Sequence, residues 1–276
     1  MFDKNMVAYV DGKFDNLQRF YVLALEQNDP EGIHDLRVEL KYLKAFFRLV
    51  DAINPAFAAR KKFRNFRNIA RTTCGLRDSQ VQIKLLEKMG ADTGIDVTGF
   101  RLFLQKQEHD YRNRFIGFSS SKPLRKLEKK GADIKKALHA IDHARAEMRA
   151  RGRFYNLRNR LIFLHRENTL KDEILHTVRK LAKETHYTLE IIRSSFDILR
   201  DSDDFIAKIS SAHKLLGKWH DFEVCRRFLG EYRDTTPPDT SETLTGLADS
   251  ITAAKEALRK DIGTAFDEFS KIAETM

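Results

Sequence analysis

Apolar residues recur along the chain at steps of three and four, without sustained alternation, so the pattern predicts helices throughout and an all-α fold. Helices are expected over 14–27, 31–53, 55–89, 95–118, 124–166, 173–200, 201–232 and 241–275, the third with a kink near Gly75. Asn28-Asp29-Pro30, Asn54-Pro55, Gly90 to Gly94, Ser119 to Pro123, Asn168 to Asp172 and the loop around Pro237-Pro238 supply the breaks.

The second of these segments carries an unusual stripe. His34, Arg37, Lys41, Lys44 and Arg48 are spaced 3, 4, 3 and 4 apart, which lines them up along one side of a helix. Leu36, Leu40, Leu43, Phe47 and Val50 form an apolar line on one flank, and Val38, Tyr42, Ala45 and Leu49 one on the other. Asp35 and Glu39 lie among the apolar positions and not on the basic line. A narrow basic seam between two apolar flanks is expected to face a groove or channel, where it would receive an anion. Arg60, Arg64, Arg67 and Arg71, at steps of 4, 3 and 4, make a second line suited either to the surface or to the second wall of such a channel.

The chain also repeats itself. His176, Arg179, Lys183 and His186 fall where His34, Arg37, Lys41 and Lys44 fall, 142 positions earlier. Residues 76–86, LRDSQVQIKLL, align with 219–229, WHDFEVCRRFL, at a shift of 143. Residues 14–152 and 153–276 are therefore expected to be two related helical halves behind an extension at 1–13. Paired about a pseudo-twofold axis, the halves would turn their seams to one shared channel.

Charge and composition narrow the partners. Fifty Lys plus Arg against forty Asp plus Glu give a formal charge of +10, which points to an anionic partner without choosing among nucleic acid, lipid and phosphate polymer. Cys74 and Cys225 are too few for a disulfide framework, which favours a reducing compartment. The N-terminal MFDKNMVAYVDGKF lacks a signal peptide's apolar segment, and no run approaches the roughly 18 apolar residues of a membrane span. A cytoplasmic protein without a membrane partner is expected.

In its paired motifs the chain resembles the CHAD family, the conserved histidine α-helical domain. The duplicated H-x-x-R-[V/K] helix is His34-Asp35-Leu36-Arg37-Val38 and His176-Thr177-Val178-Arg179-Lys180. The later partner segment is Arg77-Asp78-Ser79-Gln80-Val81 in one half and Leu216-Gly217-Lys218-Trp219-His220-Asp221-Phe222-Glu223-Val224 in the other. The resemblance implies two antiparallel four-helix bundles forming one domain, a central basic pore or groove, and binding of inorganic polyphosphate without catalysis or a cofactor. It adds polyphosphate-metabolising proteins and polyphosphate granules as associates. Tyr42 and Glu184 stand where the family usually has a second consecutive cation, Gln80 replaces an acidic residue, Cys74 replaces a Gly, and Glu190 matches Arg48.

The expected polyphosphate site therefore comprises His34, Arg37, Lys41, Lys44, Arg48, Arg60, Arg64, Arg67, Arg71 and Arg77 from the first half. His176, Arg179, Lys180, Lys183, His186 and His220 complete it from the second. Guanidinium forks suit phosphate oxygens, and Lys adds compact charge. Histidines beside several cations lose their protons easily, and a bound anion would restore them. Asp78 and Asp221 are expected to pair with cations and hold a helix crossing.

Two other readings remain open. His220-Asp221, with His34-Asp35 as a second doublet, resembles the metal site of HD-type phosphohydrolases, although the doublets occupy different positions in the two repeats. Nucleic acid could bind the same surface, but the aromatics fall on apolar lines and not among the cations. His109, His139, His143, His165 and His213 show no ligand-like grouping beyond the one-turn spacing of His139 and His143, and the cysteines read as small core residues.

Overall fold

Among the described residues every regular element is a helix. The computed structural model describes residues 2–26, 29–119, 131–132, 134–138, 142–166, 171–196, 198–199, 201–235 and 241–275. The long helices are α1 (Phe2–Glu26), α2 (Pro30–Ile53), α4 (Arg64–Thr93), α5 (Thr98–Ser119), α6 (His143–Arg166), α7 (Asp172–Phe196), α8 (Asp203–Arg233) and α9 (Ser241–Thr275), with a single turn, α3 (Ala59–Lys62), ahead of α4. The breaks expected at Pro123, Asn168 and Pro237-Pro238, the start of the helix expected from Leu124, and His139 lie outside the described residues. None of the described helices is long and apolar enough to cross a membrane.

The ends of α2 follow from its sequence. Asp29 caps it, its carboxylate accepting from the Glu31 amide at 2.9 Å, and Pro30 occupies the first turn, where its missing N–H costs nothing. Asn54 closes it, its N–H donating to the Val50 carbonyl, while its side chain reaches forward to accept from the Ala56 amide. The helix expected from 55 to 89 instead begins as a 3-10 turn, Pro55–Phe57, and breaks at Ala58, whose φ of 55° is left-handed. Asp51 of α2 holds that break by accepting the Ala59 amide at 2.9 Å. From Arg64 onward α4 runs continuously through Gly75. The glycine leaves room for α5: a Cβ there would lie 2.4 Å from the Tyr111 ring. Gly152 is likewise inside a continuous α6.

The first helix begins at Phe2 and not at Phe14. Met6 and Val10 extend the stripe of Phe14, Leu17, Tyr21 and Ala24 by two more turns into the core, so residues ahead of 14 belong to the same helix.

α1 packs on α2, α2 on α4 and α4 on α5; α6 packs on α7, α7 on α8 and α8 on α9. The two groups join through α2 against α6 and α7, α1 against α7, and α4 and α5 against α8. The main core crosses that junction, from Leu36, Leu40 and Leu43 to Val178, Ala182 and Leu189. A smaller core, with Leu86, Met89 and Phe100 facing Val224, Phe228 and Leu247, binds α4 and α5 to α8 and α9. Under the C-terminal half of α2, Phe47 meets Phe57, Phe63 and Phe66 with ring centroids 5.3 to 5.5 Å apart, each pair near edge-to-face. This cluster fixes the chain reversal that brings Arg60 and Arg67 back toward α2.

Candidate functional site

α2 and α7 cross antiparallel, so later positions of one meet earlier positions of the other. Tyr42 donates to Glu190 at 2.9 Å, its ring lies 4.3 Å from that of Tyr187, and Arg48 pairs with Glu184. This crossing brings the two basic seams together. A pocket of about 160 Å³ is lined by Lys41, Lys44 and Arg48 from α2 and by Lys180, Lys183, Glu184 and Tyr187 from α7. Lys44 and Arg48 are shared with a neighbouring groove of about 360 Å³ whose other wall carries Arg60 and Arg67. Arg60 and Arg67 continue into a third, open groove with Lys61 and Arg64. Neighbouring grooves thus share cations, first Lys44 and Arg48 and then Arg60 and Arg67. Arg71 is exposed on α4 and is not among the residues lining these grooves.

The electrostatics of the crossing are those of crowded like charges. Burial, then Arg37, Arg179 and Arg77, push the Lys41 ammonium down to about 8. Burial, then Arg179 and Lys41, push Lys183 down to about 6. Lys44 is also lowered, by burial and by Arg48. Arg37 is oriented by α4, donating to the Ala70 carbonyl at 3.0 Å and more weakly to Thr73 Oγ1 at 3.4 Å. Arg77 reaches back to the Pro30 carbonyl at the start of α2, at 3.3 Å.

Four of the histidines pair between α7 and α8. His176 faces His220, with centroids 5.2 Å apart, and Trp219, at 5.3 Å. Trp219 is fully buried, with Lys255 Nζ of α9 5.6 Å from its ring. His186 faces His213 at 6.3 Å and Glu190 at 3.6 Å. Burial first, and then neighbouring cations, lower His34 (Arg77, Lys41) and His176 (Lys180, Arg179). The same causes take His220 and His213 down to about 3. His213, which sequence spacing left ungrouped, therefore belongs to this cluster: α8 carries it to Lys183 and Arg179.

Asp78 and Asp221 face the arginines from α4 and α8. Burial raises both carboxyls, Asp221 to about 6, against the pull of Arg37 on Asp78 and of Arg179 on Asp221. Asp78 lies 3.9 Å from Arg227 across the α4–α8 crossing, and Gln82 of α4 donates to the Asp221 carbonyl at 3.0 Å. Among the described residues no group of three or more His, Cys, Asp and Glu side chains is placed to hold a metal ion. Arg153 of α6 had no place in the expected site; it pairs with Glu184 beside Arg48. Its signal is tertiary, since only the packing of α6 on α2 and α7 brings it there.

Fold and site together define an all-helical protein whose antiparallel α2 and α7 line a cationic pocket. The CHAD domain model matches residues 8–230, and the chain belongs to that family. The fold is shared with the CHAD domain from the plant Ricinus communis, at a TM-score of 0.80 and 19% identity, covering 98% of this chain and 91% of that one. It is also shared with PptA from Streptomyces chartreusis, at a TM-score of 0.70 and 15% identity, covering 96% of this chain and 99% of that one. Among curated proteins none matches the chain.

Proposed function

We propose that the chain binds inorganic polyphosphate, without turning it over, along the path that starts between α2 and α7 and leaves over Arg60 and Arg67. The observation that carries this reading is the pocket where Lys41 and Lys183, both held below the usual lysine value, face each other's helices with arginines on both sides. A cluster of half-buried cations at that cost is stabilised by an incoming polyanion, whose oxygens supply the missing counter-charge. Two related halves around a central channel fit the packing, because α1 lies on α7 as α6 lies on α2. The same reading places the protein in the cytoplasm, with polyphosphate granules and polyphosphate-metabolising proteins as its associates.

Titration with polyphosphate at fixed salt tests it. Lys41→Gln with Lys183→Gln should weaken binding about tenfold or more, because each removes a charge-assisted contact, with the far-ultraviolet circular dichroism unchanged. The wild-type affinity should also fall steeply with salt as counterions released on binding are pushed back. Unchanged affinity in the double variant would remove the site; displacement of polyphosphate by single-stranded RNA at equal phosphate would favour nucleic acid. Phosphate release by the purified protein with divalent metal would favour the phosphohydrolase reading at His220 and Asp221.

A further inference from the structure

Glu184 is the acidic residue among the lysines and arginines that line the α2–α7 pocket. Its carboxylate is 12% exposed and is gripped from two sides: Oε2 by Arg48 of α2, Oε1 by Arg153 of α6. One anionic oxygen per guanidinium, each from a different helix, is the coordination that a phosphate group would take in the same place. Arg48 itself lines both the α2–α7 pocket and the next groove, so this grip sits where the two meet. Arg153 is not enclosed by the contact, for 24% of its side chain remains exposed.

We infer that Arg48 and Arg153 form a phosphate subsite at the junction of the two grooves, occupied in the free protein by the carboxylate of Glu184, which the ligand must displace. The inference rests on the polyphosphate reading of the same path and adds to it a binding residue, Arg153, and an internal competitor. A chain long enough to run from Lys41 and Lys183 to Arg60 and Arg67 crosses the junction and evicts Glu184. Tripolyphosphate can settle on one side and leave the carboxylate in place. The carboxylate therefore discriminates by length, opposing only a chain that crosses the junction and so narrowing the advantage that contacts on both sides give the long polymer over tripolyphosphate.

The test is a double-mutant cycle read by titration with long-chain polyphosphate and with tripolyphosphate. Glu184→Gln should tighten binding of the long polymer about fivefold or more and that of tripolyphosphate by less, since the competitor's charge is gone. Arg153→Gln should cost little in the wild type, where losing a phosphate contact is offset by freeing Glu184, and about tenfold in the Glu184→Gln background. Equal cost in both backgrounds would make Arg153 a structural clamp and overturn the inference. Equal gain for both ligands would overturn the length discrimination. Should Glu184→Gln fail to fold, the salt dependence decides: Arg153→Gln should lower the slope of log affinity against log salt by about 0.7, and an unchanged slope refutes a phosphate contact. If Lys41→Gln with Lys183→Gln leaves binding intact, the polyphosphate reading itself falls. If that variant loses binding and Glu184→Gln changes nothing, only the subsite falls.

Discussion

Lys41 and Lys183 show in two side chains the tension between folding and binding. In the free protein each is disfavoured by burial and by neighbouring cations, so the residues that make the pocket attractive to an anion destabilise the chain that carries it. Lys41→Gln with Lys183→Gln is therefore expected to raise the melting temperature of the free protein while lowering its affinity, a divergence that a thermal scan beside a titration would reveal. The pH dependence follows with a definite sign. His213 and His220, lowered from 6.5 to about 3, contribute stability that is present above 6.5 and lost as pH falls toward 3, since the unfolded chain takes up their protons first. Lys183, lowered from 10.5 to about 6, makes stability rise with pH across that interval. Asp221, raised from 3.8 to about 6, and Asp78, also raised by burial, act oppositely, their stabilising protons being lost as pH rises, and they are two groups against several. The free protein should thus melt lower at pH 5 than at pH 8. Polyphosphate favours the charged forms, so binding should take up protons and strengthen toward low pH; calorimetry in buffers of different ionisation heat measures that uptake, and an affinity flat from pH 8 to pH 6 would count against it.

At the scale of the helix, the C-terminal half of α2 is held by Phe47 among Phe57, Phe63 and Phe66. Phe47→Ala should cost about 3–5 kcal/mol in denaturant unfolding, the cavity adding to the lost burial. Because the cluster also sets the reversal before α4, the variant should bind long polyphosphate less well even where it remains folded, through displacement of Arg60 and Arg67. The basic seam of α2 was legible because 3.6-residue periodicity writes the side of a helix directly into spacing. The seam of α7 was legible as its copy. The role of Gly75 is tertiary: a glycine within a helix reads as a weak point, but here it admits the Tyr111 ring from α5, which no local pattern announces. The break at Ala58 was hidden likewise, since alanine carries no turn signal and the Asp51 carboxylate that holds the following amide belongs to α2. His213 and Arg153 carry no local signal because their neighbours in sequence are silent and their neighbours in space come from α7 and α2. The four arginines read as one line divide once the groove is drawn, with Arg60, Arg64 and Arg67 along it and Arg71 outside.

For the molecule as a whole, both cores cross between the first and second groups of helices. Neither group closes its own apolar surface: Val178 and Leu189 complete what Leu36 and Leu43 begin. Residues 1–142 produced alone should consequently melt broadly or associate, and mixing them with residues 143–276 should restore a single cooperative transition, followed by circular dichroism. Two independent sharp transitions in the intact chain would contradict this.

Trp219, the sole tryptophan, lies buried against His176 and under the Lys255 ammonium, close to the place where charge is gathered. Its ultraviolet emission is sensitive to an imidazolium at that range. An occupant that hands His176 a proton should dim the light the protein gives off, so the molecule carries its own unlabelled gauge of whether the passage beside it is filled.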